Sequence, residues 1–252
     1  MDWRGHGLST LNGHDNSLMD PVYFGGDVIA VLDAEAIREA TLVAHSLGGF
    51  SAIRDAFEAP DRISAIVMIN SMCGLRDDFD GSPSFENEDE ASPMQHAVCL
   101  YAKDLAARDK ASARVRELVP TIPASREVKE RAYLGARPPD FKAPAIDESI
   151  LGPNYVNELQ TANVLGYWAE NEPMKSEHRV PFTAFRKRFD KPVTFIVTAD
   201  DGIMNWEFPT YAAHHLKADV RFLEEGWHSP YIVCPEVFNK ALGEILQNSL
   251  KA

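Results

Sequence analysis

Hydrophobic and polar positions divide the chain into two α/β stretches with a different stretch between them. From Phe24 to about Arg38, Val28, Ile29, Val31, Leu32 and Ile37 recur at near-helical spacing and predict an amphipathic helix. The apolar run Thr41–His45 predicts a strand. The segment after it, Leu47 to about Ala59, predicts a helix stopped by Pro60. Ile63–Ile69 (ISAIVMI) is almost continuously apolar and of strand length, as suits a parallel strand covered on both faces. Strand, helix and strand in this order make a βαβ unit.

The middle has another character. Arg76–Glu90 is acidic and reads as a solvated loop, since its charges lack ligand-like order. Helical patterns follow at about Pro93–Leu118, Arg126–Leu134 and Tyr155–Asn171, with a fourth around Phe182–Phe189. Pro120, Pro123, Pro138, Pro139, Pro144 and Pro153 separate the helical patterns. This block carries no convincing strand and predicts a helical insertion over 75–189. The α/β pattern then resumes with the strand Pro192–Thr198 and the turn Ala199–Gly202. A helix from Trp206 to about Leu216, with Pro209 in its first turn, and the strand Ala218–Leu223 follow. A loop, Glu224–Ser229, leads to an amphipathic helix over Pro235–Leu250. Before Phe24 the chain is rich in Gly, Asn, Asp and Ser and reads as loop. The expected class is therefore α/β: a mostly parallel sheet, with about four strands readable, in a core of 1–74 and 190–252 that carries a helical cap at 75–189.

Composition narrows this picture. The 252 residues are 45% hydrophobic, enough for a sizeable core. No apolar run approaches the length of a membrane span, and the polar start MDWRGHGLST has no signal-peptide core. The three cysteines, Cys73, Cys99 and Cys234, are widely spaced and odd in number. That argues against a disulfide framework or a zinc site and fits a reducing compartment, so a cytoplasmic location is expected. A net charge of −13 disfavours nucleic acid and anionic membranes as partners.

Open α/β sheets carry their chemistry at the carboxyl ends of strands. Three polar residues are expected there, in the order Ser46, Asp201, His228. Ser46 stands between a strand and a helix with the small residues Ala44 and Gly48 two positions to either side, the pattern of a nucleophile elbow. A serine hydroxyl needs a neighbouring base, which His228 can be near neutral pH, and a carboxylate to orient the imidazole. Asp201 is the preferred acid, with Asp200 as the alternative if the turn is shifted by one residue. His45 reads as a structural or pocket-edge residue, and Asn70 ends a strand beside the expected pocket.

The chain resembles α/β-hydrolase fold proteins of the esterase and lipase group with a helical cap. Asp2–Ser9 is similar to that family's D-x-R-G-x-G-x-S loop, and Ala44–Gly49 to its G-H-S-x-G-G elbow. Thr198–Asp201 is similar to the G-x-x-D turn. Gly226–Pro230 is similar to the G-H loop with Trp227 inserted, and Cys234–Phe238 to the P-E-x-F start of the last helix. The resemblance covers 1–74 and 190–250, and no motif of the cap takes part. It implies a serine hydrolase acting on a small ester, lactone or related acyl compound, with no metal or organic cofactor. Leu47 N–H would then serve as an oxyanion donor, and His45, Asn70, Met94, Trp168 and Trp227 would border the substrate pocket. A serine at the elbow departs from the dehalogenase and epoxide hydrolase branches, which use aspartate there.

The resemblance also implies that the family's first strands, and the His-Gly loop giving a second oxyanion donor, have no counterpart here. A late start, a natural short form or a partner chain would each account for that. The strand Leu42–His45 would then present a bare edge suited to self-association or to another chain. A catalytically inactive or ligand-binding relative is the rival reading.

Overall fold

A computed structural model of the chain describes Arg4, Ser9 and residues 21–72, 74–76, 179–201, 204 and 206–249. Its main sheet has four parallel strands: β1 (Ala40–His45), β2 (Ile63–Ile69), β5 (Val193–Thr198) and β6 (Asp219–Leu223), in the spatial order β1-β2-β5-β6. All four lie within a residue of the stretches that the apolar runs predict.

The pleat sorts their side chains onto two faces. Leu42, Ala44, Ile66, Met68, Phe195 and Val197 point to one face. They meet α2 (Gly48–Glu58), α3 (Phe182–Arg188) and α4 (Glu207–Leu216) through Ile53, Ala56, Phe185, Phe208 and Leu216. On the other face Val67, Ile69, Ile196 and Leu223 meet Phe238, Ala241 and Ile245 of α6 (Pro235–Ser249). This two-sided cover is why β2 and β5 read as near-continuous apolar runs.

The two outer strands differ. β6 is edged with charge: Asp219 and Arg221 are exposed, and Arg221 pairs with Glu244 of α6 at 2.8 Å. Among the described residues β1 has no strand on its outer side, and Val43 is 45% exposed.

The first helix is shorter than its apolar pattern predicts. Residues Pro21–Phe24 form a 3-10 turn, and α1 occupies only Asp27–Ala34. Gly25 and Gly26 separate the two. A Cβ on Gly25 would stand 2.3 Å from Cγ of Arg54, and Gly26 has φ +97. At the other end Ala36 turns left-handed (φ 53), and Ile37 N–H closes back on Leu32 C=O at 2.8 Å. Ile37 is thereby carried off the helix and left 43% exposed.

The margins of the stretch 75–189 pack into the core. β3 (Leu75–Arg76) pairs in parallel with β4 (Val180–Pro181), Leu75 opposite Val180. Leu75, Val180, Phe182, Phe185 and Phe189 all belong to the cluster beneath the main sheet. The expected fourth helix of the insertion is α3, buried against that cluster. The helices expected between 93 and 171 lie outside the described residues, as do Met94 and Trp168. Among the described residues no helix is long and apolar enough to cross a membrane.

Candidate active site

β1 ends at His45, and the chain reverses at once into α2. Ser46 takes the turn with φ 49, a left-handed backbone that a non-glycine residue adopts at a cost of about 1–3 kcal/mol. Both of its backbone groups are held. Ser46 N–H donates to Ile69 C=O (3.0 Å), which prolongs the β1–β2 ladder. Ser46 C=O accepts from Gly49 N–H (3.0 Å) and from the Ser71 hydroxyl. The side chain is thus lifted above the carboxyl ends of the strands. Gly74 (φ 85) closes the ground below it, since a Cβ there would lie 3.0 Å from Cβ of Ile53 and 3.2 Å from Gly49 C=O.

Two further strand ends bring their residues to this point. Asp201 follows β5 and is 8% exposed; His228 follows β6 and is 7% exposed. His228 Nε2 lies 2.9 Å from Ser46 Oγ, and His228 Nδ1 lies 2.8 Å from Asp201 Oδ2. The other Asp201 oxygen accepts Met204 N–H at 2.9 Å. With the imidazole proton on Nδ1, the chain runs Ser46 hydroxyl to Nε2 and Nδ1–H to the carboxylate.

Asp200, the alternative acid, faces elsewhere. Its carboxylate accepts Trp227 N–H (2.8 Å) and Gly226 N–H (3.4 Å), and partial burial raises its pKa. The loop it holds is constrained: Gly226 has φ 148, and a Cβ there would come within 2.7 Å of Pro230 Cβ. Trp227 has φ 47, which makes the inserted tryptophan a strained residue.

Beneath this loop lies Asn70, 1% exposed and itself left-handed at φ 43. Its Nδ2 donates to Thr198 Oγ1 (2.9 Å), Trp227 C=O (2.9 Å) and His228 C=O (3.1 Å), and its Oδ1 accepts Thr198 N–H (2.9 Å). The Thr198 hydroxyl donates onward to Trp227 C=O. Asn70, expected as a pocket border, therefore lies below the His228 loop with its amide fully engaged.

His45 has a related place. Its Nε2 lies 2.7 Å from His228 C=O and its Nδ1 3.3 Å from the Tyr231 hydroxyl. These partners assign the ring proton to Nε2, with Nδ1 accepting from Tyr231. Burial and the neighbouring His228 push the His45 pKa down to about 4, so the ring is neutral at physiological pH.

Leu47 follows Ser46, and its amide N–H meets no hydrogen-bond acceptor among the described residues. Among those residues, too, no group of His, Cys, Asp and Glu is placed to hold a metal ion. Thr198, Tyr231 and the amide-binding role of Asp200 had no signal in the sequence. The one readable hint was an asparagine directly after an apolar strand, where a left-handed residue is often Asn.

A parallel sheet with helices on both faces, and a serine elbow at the carboxyl end of a strand facing His and Asp at two others, define an α/β-hydrolase. The chain belongs to the alpha/beta hydrolase family, which it matches over residues 1–241. It is 42% identical over 65 residues to an epoxide hydrolase of Caballeronia sordidicola; that match spans 26% of this chain and 20% of that protein's length. Among solved structures it is similar to a carboxylesterase of Nitrososphaera gargenis, at 18% identity and a TM-score of 0.58, covering 99% of this chain and 79% of that one. It is also similar to the 2-hydroxy-6-oxo-6-phenylhexa-2,4-dienoate hydrolase of Rhodococcus sp. strain RHA1, at 16% identity and a TM-score of 0.55, covering 98% of this chain and 77% of that one. At these identities the solved structures share the fold.

Proposed function

We propose that the chain is a serine hydrolase that cleaves a small ester, lactone or related acyl compound through an acyl-enzyme. The observation that carries this reading is the continuous pair of contacts at His228, 2.9 Å to Ser46 Oγ and 2.8 Å to Asp201 Oδ2. In this reaction His228 Nε2 takes the Ser46 proton as the oxygen attacks the carbonyl, then returns it to the leaving group. Asp201 holds the imidazole tautomer and stabilises the charged ring. Leu47 N–H is the donor nearest in sequence to the developing oxyanion; one such donor is worth on the order of 10²–10³ in turnover. Water then attacks the acyl-enzyme by the same steps. No metal or organic cofactor enters this chemistry.

The nucleophile argues for acyl rather than epoxide chemistry, despite the name of the curated relative. Opening an epoxide through a covalent ester requires a carboxylate at the elbow, and this elbow holds Ser46. The test is covalent labelling of the full chain with a fluorophosphonate, read by mass spectrometry of the modified peptide. Labelling at Ser46 that disappears in Ser46→Ala is the expected result. A folded chain that takes no label would favour the non-catalytic rival and overturn this proposal.

A further inference from the structure

We propose that Asn70 and Asp200 are positioning residues for His228: Asp200 holds the Gly226 and Trp227 amides before it, and Asn70 holds the Trp227 and His228 carbonyls. The proposal rests on the reading of Ser46 and His228 as nucleophile and base. It assigns roles to residues outside the triad, one expected only to border the pocket and one considered only as a substitute acid.

The geometry makes the case. His228 has no regular element to stand on, because β6 ends at Leu223, before it, and α5 (Pro230–Val233) starts only after Ser229. Its ring must nonetheless stay within hydrogen-bond reach of two partners on different strands. Besides the contacts of the His228 ring, the segment Gly226–Trp227–His228 is held through its main chain. Asp200 accepts both amides, Gly226 N–H and Trp227 N–H. Asn70 donates to both carbonyls, Trp227 C=O and His228 C=O. Two helpers complete the grip: the Thr198 hydroxyl at Trp227 C=O and His45 Nε2 at His228 C=O. The four supports come from the ends of β1, β2 and β5, the same sheet that carries Ser46 and Asp201. Nucleophile, acid and base-bearing loop are therefore fixed to one rigid frame.

The grip also explains how a tryptophan is tolerated at φ 47. Hydrogen bonds on both sides of a residue can hold a backbone that its own preference opposes. Asn70 is suited to its part because an amide alone offers both a donor for the carbonyls and an acceptor for Thr198 N–H at the same place. Aspartate has the same shape and keeps the acceptor, but it has lost the donor. Asp200→Asn likewise sets an amide against one of two N–H groups, whereas Asp200→Glu retains both acceptors.

Two readouts on the full-length chain test this. The first is the rate constant of fluorophosphonate labelling at Ser46. The second is the NMR signal of the His228 Nδ1 proton, which is shifted far downfield while it is held by Asp201 and does not require turnover. In Asn70→Asp the expected labelling rate falls on the order of 10²-fold, the scale of an ångström-sized misplacement. The downfield signal is expected to broaden or vanish. Asp200→Asn, at an exposed position, should give a smaller loss in the same two readouts, and Asp200→Glu should restore both. Wild-type rate and an intact signal in both Asn70→Asp and Asp200→Asn would overturn the proposal. If Asn70→Asp does not fold, Asp200→Asn and Asp200→Glu decide it. If the unmodified chain takes no label, the hydrolase reading fails and the His228 signal alone decides the positioning role.

Discussion

Asp55 is a buried ionisable group and His45 a partly buried one, and they pull stability in opposite directions. Asp55, 1% exposed on α2, accepts Gly26 N–H at 2.6 Å with one oxygen; the other has no hydrogen-bond partner among the described residues. Burial raises its pKa to about 7 from an ordinary 3.8. Between those values the folded chain holds a proton that the unfolded chain has released, so Asp55 costs stability as pH rises through that window. His45 is depressed to about 4 from 6.5, so below 6.5 the unfolded chain takes up a proton that the folded chain resists. Its contribution is therefore lost as pH falls through that window. In the native protein the two slopes oppose each other where the windows overlap. Asp55→Asn removes one of them. Its melting temperature should rise with pH from 4 to 6.5 more steeply than that of the native chain. Above pH 7 the variant should be the more stable, by on the order of 3 kcal/mol; equal melting temperatures there would contradict the burial argument.

At the level of elements, legibility followed the range of the determining contacts. β2 and β5 were plain because both faces are covered, so nearly every position is apolar and no partner need be known. The Ser46 elbow was plain for a similar reason: strand, turn and helix adjoin in sequence. Helix α1 was overextended because Gly25 is dictated by its approach to Arg54, nearly thirty positions away, and no local pattern reports that. The support of His228 was illegible on the same ground, since Asn70 and the carbonyls it binds are over 150 positions apart. Strand β1 raises a separate matter. A half-exposed Val43 without the charges that guard β6 is a surface prone to pairing. Val43→Lys should therefore lower concentration-dependent association, measured by light scattering. Unchanged scattering would place any association elsewhere.

For the molecule as a whole, the decisive arrangement is that one sheet carries the three side chains of the proposed chemistry. Ser46, Asp201, His228 and the groups holding the His228 loop all rise from the carboxyl ends of β1, β2, β5 and β6. None of the residues named here falls between Arg76 and Arg179. A variant with residues 77–178 replaced by a short Gly/Ser linker should therefore keep its core and, on the proposed reading, label at Ser46. What it should lose is discrimination between small and bulky acyl probes, compared by their relative labelling rates. Loss of the cooperative thermal transition would show instead that the stretch is needed for folding.

The two-rung ladder of β3 and β4 has a consequence for exchanging sequence. The chain departs and returns at neighbouring points, Leu75 beside Val180 and Arg76 beside Pro181, with Leu75 and Val180 seated in the core. Sequence between these points should therefore be exchangeable without re-registering a strand of the main sheet. On the proposed reading, substrate range would then change with that stretch while Ser46, Asp201 and His228 keep their places.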